Sequence, residues 1–326
     1  MLSIKKLVPL KIKQYLLLLR QYIHDLNMYR NHSSIIKKNT YEKNESEITL
    51  RYHAIEKGFL HNPIRYRFAK KKVSDLIKLL KYIDFGKYTH KIQIQSALLN
   101  LCTYYEYHIS ENVDISDYYI KSDYDLFRLL LVSEEKPINY HTIDSFFKHR
   151  NSDFYNFSIS RKSVRNFTGE RIEVETIREV IELANHAPSV CNRQPVNVHL
   201  VDNKPLIDKI LDIQGGLKGY SDQLSQIILV TSDRNYYYTL GERNQFYIDG
   251  GIYLMNLLYA LHFYGIGTCP AHWGLPFQAD EKVRKLVNLK DSEQIICLIA
   301  IGVPQEDFPT TLSLRRPSEE NLFIHN

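Results

Sequence analysis

The stretch Ala187-Pro188-Ser189-Val190-Cys191-Asn192-Arg193-Gln194-Pro195 decides how this chain is read. It follows an apolar helical pattern at Val174, Ile177, Val180, Ile181 and Ala184, and it precedes the β-branched run from Val196 to Val201. Prolines and a row of small, polar residues can continue neither element. The backbone must therefore loop and present N–H groups and short side chains. Loops held between regular elements are where binding residues concentrate.

The 326 residues are 44% hydrophobic and 24% charged. That composition is globular with a sizeable core, and a chain of this length suits two domains. The net charge of +5 is uneven: +9 over residues 1–150 and −4 over residues 151–326. A basic half can mark a nucleic-acid or membrane contact. Here the cations are scattered and no nucleic-acid module is recognisable, so a solvated face is the expectation and nucleic acid is not an expected partner. Cys102, Cys191, Cys269 and Cys297 are far apart and form no C-x-x-C pair, which suits free thiols in a reducing compartment. Lys5, Lys6, Lys11 and Lys13 surround the Leu16–Leu19 run, but the sequence has no signal-peptide apolar region. No apolar span reaches the roughly 20 residues of a transmembrane helix. The expectation is a cytoplasmic protein with no transmembrane segment.

Residues 1–150 read as a helical domain. Tyr15, Leu18, Leu19, Tyr22 and Leu26 form one stripe between Lys11 and Met28, opposite Lys13, Arg20 and His24. Such a helix can lie on an anionic membrane, but packing on its own domain or a partner subunit is favoured. Further helices are expected near 70–82, 92–109 and 117–132, separated by Asn62-Pro63, Gly86 and Lys136-Pro137. His53, Glu56 and His61 match no compact metal spacing. Lys57-Gly58 is expected to end a short helix, with Gly58 left-handed.

Residues 151–326 alternate helix and strand. Strands are expected at 196–201, 227–231 and 295–301, and residues 250–264 form a helix apolar almost all round, which belongs in a core. The class is α+β with a small sheet. Three segments accompany the opening loop. Ser160-Arg161-Lys162-Ser163-Val164-Arg165 sets three cations and two hydroxyls in six residues, a composition suited to phosphate and equally to a solvated surface. Arg315-Arg316-Pro317 offers two more cations at the far end, again readable as surface. Gly265 to Gly274 caps the apolar helix and then forms a loop carrying the single tryptophan, Trp273, and His272. His272 has acid–base capacity, but a backbone role is preferred.

In this order the four segments resemble the nitroreductase family over residues 158–326. The resemblance implies a nitroreductase-like α+β fold, a mixed sheet flanked by helices, over 151–326, preceded by the all-α region 1–150. It also implies homodimers with FMN at the subunit interface. It places phosphate and ring contacts on Arg161, Lys162, Ser163 and Arg165, and an interface loop reaching the other subunit on Pro188, Ser189, Asn192 and Gln194. The segment facing flavin N5 falls on Pro270, Ala271, His272 and Trp273, with the His272 N–H aimed at N5, and the closing phosphate contact falls on Arg315 beside Arg316. The implied chemistry is ping-pong hydride transfer from NAD(P)H through N5 to a small organic acceptor, with no catalytic side chain and no metal. The sequence shows no G-x-S-x-G, Walker loop or paired-carboxylate arrangement. Larger proteins of this kind, some resembling polysaccharide or secondary-metabolite enzymes, carry a similar extension, which here is expected to cover the flavin face. The competing reading is a non-catalytic flavin-fold scaffold whose basic helical half contacts a partner or membrane surface.

Overall fold

The computed structural model describes residues 9–36, 40–133 and 135–325; Lys5 and Lys6 lie outside them. It divides into one unit of Met1–Asn139 with Thr311–Asn326 and a second of Tyr140–Thr310. This differs from the division at 150/151 in two places. Phe146 and Phe147 pack into the core of the second unit. The C-terminal tail folds with the helical unit, where the Leu312 N–H donates to the Pro137 carbonyl at 2.8 Å and the Ile92 N–H to Glu320 Oε1 at 3.4 Å.

The first unit contains α1 (Leu10–His32), α2 (Tyr41–Phe59), α3 (Lys70–Leu80), α4 (Phe85–Tyr88), α5 (Ile92–Ser110) and α6 (Lys121–Leu130). Helices α2, α3, α5 and α6 bury a shared core that includes Ile48, Ile55, Leu76, Leu98 and Phe127. Helix α1 behaves differently: Tyr15 is 66% exposed and Leu26 64%, so its stripe stays uncovered within the single chain. Helix α2 ends at Phe59, one residue past Lys57-Gly58, as a long helix rather than a short one, and Gly58 is not left-handed. The glycine serves close packing, since a Cβ there would lie 2.1 Å from Cδ2 of Phe68.

The second unit is entered through β1 (Ile138–Thr142), which pairs with β6 (Asp307–Thr311) in a two-stranded ribbon. Then come α7 (Ile143–Phe147), α8 (Phe154–Ser160), α9 (Val174–Ala184), β2 (Val196–Val201), α10 (Lys204–Gln214), β3 (Gln226–Asp233), α11 (Gln245–Phe263), β4 (Gly267–His272), α12 (Phe277–Leu286) and β5 (Glu293–Gly302). The sheet order is β2-β3-β5-β4, with Val198 opposite Val230, Leu229 opposite Leu298 and Ala271 opposite Leu298. Because side chains alternate faces along a strand, Ile228, Val230, Ile299 and Ile301 meet α9 and α11. Ile227, Leu229, Leu298 and Ala300 meet α10 and α12. A sheet covered on both faces explains why β3 is buried throughout.

Residues 267–272, expected as a loop, form the edge strand β4. Pro270 is tolerated there because an edge leaves one side of the ladder without donors to supply. The four-stranded ladder is antiparallel throughout, and the parallel component is the isolated bridge between Ser163 and Thr268.

Candidate active site

The cationic segment leaves the end of α8, whose start is capped by Asp153 accepting from the Asn156 N–H at 3.1 Å. At the other end Ser160 Oγ donates to the Phe157 carbonyl at 2.8 Å. With its one proton used, that hydroxyl accepts from Nε2–H of His262 at 2.9 Å. His262 is 2% exposed and lies among the rings of Phe146, Phe147 and Phe157 at 5.3 to 5.5 Å. Burial, reinforced by the Arg161 cation, brings its pKa down to about 4, so the imidazole is neutral near pH 7.

From there the chain lies along β4. The Val164 N–H donates to the Thr268 carbonyl at 2.8 Å, beside the Ser163–Thr268 bridge. Arg165 is 7% exposed, and its Nη1 has no hydrogen-bond acceptor among the described residues. The neighbouring Asn166 Oδ1 is likewise buried without a donor. A buried charged N–H without an acceptor is costly, so this guanidinium fits a bound anion. Nearby, burial and the Lys162 charge lower the pKa of His141, which bonds Thr310 Oγ1 at 2.9 Å. Burial pushes the Tyr220 phenol up to about 12, opposed by Arg165.

Along β4, Ala271 and Trp273 are buried while the His272 side chain is exposed. Trp273 Nε1–H donates to Asp280 Oδ1 at 3.0 Å, and the His272 carbonyl accepts from Gln214 Nε2 at 3.0 Å. Gly265, with φ +75°, caps α11 just before this strand. The bridge thus sets Ser163 and Val164 of the cationic segment beside Thr268, on the strand that continues into Pro270–His272.

The Ala187–Pro195 loop is built against α11. Cys191, Asn192 and Gln194 hold φ of 50°, 55° and 51°, left-handed values that cost side-chain-bearing residues energy and cluster at functional sites. Local bonds hold them: the Gln194 N–H donates to Ser189 Oγ at 2.9 Å and Gln194 Nε2 to Asn192 Oδ1 at 3.1 Å. Pro188, Ser189 and Gln194 line a cleft of about 180 Å³ with Asp249 and Tyr253. Asp249, 2% exposed, accepts from the Val190 N–H at 3.2 Å, Gln245 Nε2 at 2.9 Å and the Tyr237 hydroxyl at 3.0 Å. Asp249 and His262 are absent from the sequence reading, although an acid and an imidazole in an otherwise apolar helix are a visible signal.

Arg193, also passed over, ties the loop to Glu242 at 2.8 Å. That ion pair, with the N–H groups of Tyr238 and Thr239, lowers the Glu242 carboxyl to about 2. Arg315 and Arg316 belong to the tail of the helical unit, where Arg316 pairs with Glu45 and lies 3.7 Å from Glu320 Oε2.

Residues 159–223 and 221–303 match the model of the nitroreductase family. The matched segment, residues 159–303, is a nitroreductase-family domain. Membership makes this domain an oxidoreductase. Among curated relatives, the 4-nitrobenzoate reductase of Pseudomonas putida is 24% identical over 217 residues, 51% of this chain and 92% of the relative. The iodotyrosine deiodinase of Hydra vulgaris is 24% identical over 238 residues, 64% of this chain and 83% of the relative. A nitroreductase-like protein of Streptococcus mutans superposes with a TM-score of 0.46 at 21% identity, covering 53% of this chain and 98% of its own. The nitroreductase match begins at the end of α8, so the cationic segment, the loop, Asp249, His262 and β4 all fall within it, and α1–α6 fall outside.

Proposed function

We propose that the nitroreductase domain is an FMN-dependent oxidoreductase that takes a hydride from NADH or NADPH and delivers it to a small organic acceptor in a ping-pong cycle. The observation that carries this reading is the buried Arg165 guanidinium whose Nη1 has no acceptor among the described residues. When bound, FMN supplies the hydride acceptance and donation that side chains cannot. Arg161, Lys162, Ser163 and Arg165 hold its phosphate and offset negative charge on the reduced ring. The backbone of Pro270–Trp273 would contact the flavin ring, and Pro188, Ser189, Asn192 and Gln194 would be supplied by a second copy in a cytoplasmic homodimer.

The chain's own contribution is positioning. Arg165 is already desolvated and needs no reorganisation to meet an anion. Neutral His262 holds Ser160, the residue before Arg161, without adding a repelling charge. The acceptor is an aromatic compound, in keeping with the substrates named for the Pseudomonas and Hydra relatives, and a biosynthetic setting such as polysaccharide or secondary-metabolite assembly is consistent with the added helical unit.

Replacing Arg165 by Gln tests the reading, because the amide keeps polarity and removes charge. FMN is expected to bind at least tenfold more weakly while far-ultraviolet circular dichroism is unchanged. A variant that retains FMN fully would show that the phosphate lies elsewhere.

A further inference from the structure

Helix α1 carries its apolar residues in an alternation of three and four: Ile12, Tyr15, Leu19, Tyr22, Leu26 and Tyr29. A mean spacing of about 3.5 residues is the heptad pattern, in which Ile12, Leu19 and Leu26 take position a and the three tyrosines position d. Leu16 and Ile23 fall at position e and widen the seam. The cations Lys13 and Arg20 at position b, with His24 at position f, lie on the outer side. All eight apolar residues are exposed, from 46% at Leu19 to 66% at Tyr15.

Most helical stability in proteins comes from packing an amphipathic face, and this face is unpacked. The helical unit holds α1 near its C-terminal end, where the Asn31 carbonyl accepts from Lys43 Nζ at 3.5 Å. The eight apolar residues leave on the order of 800 Å² to solvent, the same scale as the roughly 800 Å² per partner of a standard protein–protein interface. Charge then selects the partner and its direction. Asp25 stands at position g and Arg30 at the following position e. In a parallel, in-register pair a g residue faces the next e residue of the other strand, so Asp25 meets Arg30 once on each side of the seam. An antiparallel pair would set Asp25 against Leu18.

We propose that α1 pairs with α1 of a second copy of this chain as a parallel, in-register coiled coil. The a and d layers close the seam, each tyrosine ring packing while its hydroxyl reaches water at the edge. The reciprocal Asp25–Arg30 pairs fix the orientation. A strict heptad over six core positions favours this occupant over an anionic membrane, which needs only a broad apolar face flanked by cations. The pairing stands apart from the flavin reading, since α1 lies outside the nitroreductase match and its readout needs no flavin.

Disulfide trapping in the full-length protein tests it, with Leu26→Cys reporting from position a and His24→Cys from the outer position f. Under mild oxidation Leu26→Cys is expected to form a cross-linked dimer at least tenfold faster than His24→Cys. Wild type treated alike supplies the blank for the exposed Cys191. Adding Leu19→Glu to Leu26→Cys is expected to abolish the fast cross-link. Because Leu19 lies outside the buried core of the helical unit, the glutamate leaves that core intact. Cosedimentation with vesicles of phosphatidylserine and phosphatidylcholine reads the other occupant, and no binding that depends on Leu19 is expected. Cross-linking by Leu26→Cys no faster than by His24→Cys would overturn the proposal, as would a fast cross-link that survives Leu19→Glu. Vesicle binding abolished by Leu19→Glu would assign the stripe to a membrane and overturn it too.

Discussion

Asp249, buried in the first half of α11, accepts the backbone N–H of Val190 at 3.2 Å and so fastens the Ala187–Pro195 loop to the helix behind the sheet. The same carboxylate takes the Tyr237 hydroxyl at 3.0 Å. Replacing Asp249 by Ala strands both donors in a buried site. An unsatisfied buried group costs about 1–3 kcal/mol, so urea unfolding is expected to show a loss of that size, with Asp249→Asn retaining more stability than Asp249→Ala.

Glu242 anchors the other end of the loop through Arg193. Its carboxyl is lowered to about 2 in the folded protein, with the Arg193 ion pair as the leading cause, below the ordinary 4.5. A depressed carboxylate contributes stability that is complete above its unfolded value and is lost as pH falls toward the folded one. The gap in melting temperature between wild type and Glu242→Gln is therefore expected to be constant above about pH 5 and to close between pH 4.5 and 2. A gap independent of pH would remove this ion pair from the account.

His262 acts in a higher window. Its pKa falls from 6.5 to about 4 on folding, chiefly through burial. The unfolded chain therefore takes up the proton first as pH drops, and stability is full above 6.5 and declines toward 4. The shift corresponds to about 3 kcal/mol lost across that interval. His262→Phe keeps a ring among Phe146, Phe147 and Phe157 and is expected to flatten this part of the stability–pH curve, as read by denaturant unfolding at stepped pH.

Gly58 distinguishes a helix cap from a packing site. A left-handed cap would tolerate Asn, whereas a helical glycine against Phe68 tolerates no side chain. Phe68 is itself held by Phe59 and Tyr104, each at 5.0 Å between ring centroids. Overpacking costs about 1–3 kcal/mol, more than the ~1 kcal/mol that alanine gains over glycine in a helix. Both Gly58→Ala and Gly58→Asn are therefore expected to lower the melting temperature.

Much of this architecture is legible in residue patterns. Helix α5 and strand β2 announce themselves by period, because burial on one or both faces imposes the spacing that the sequence displays. Strand β4 does not, since Gly267 and Pro270 read as loop formers and only its edge position accommodates the proline. Gly58 misleads for a related reason: glycine next to lysine is the local signature of a cap, and the ring that requires it comes from Phe68, ten residues on and beyond the end of α2. In the candidate site, Arg161–Arg165 and Ala187–Pro195 stand out by composition. Asp249 and His262 are visible as polar residues in an apolar helix, but their roles are not, because their partners, Val190 and Ser160, lie far along the chain. The tail carries no signal that it folds with α2 and α5, since the pairing of Arg316 with Glu45 is a matter of tertiary structure alone.

Arg165 and its neighbours are proposed to hold a flavin that reduced nicotinamide can reduce. An anaerobic absorbance spectrum of the purified full-length protein, supplied with FMN and then with NADPH or NADH, tests it most directly. A yellow protein is expected, whose flavin absorbance survives gel filtration and bleaches on adding one of the two nicotinamides. A colourless protein that cannot be reconstituted, or a bound flavin that neither nicotinamide reduces, would contradict it.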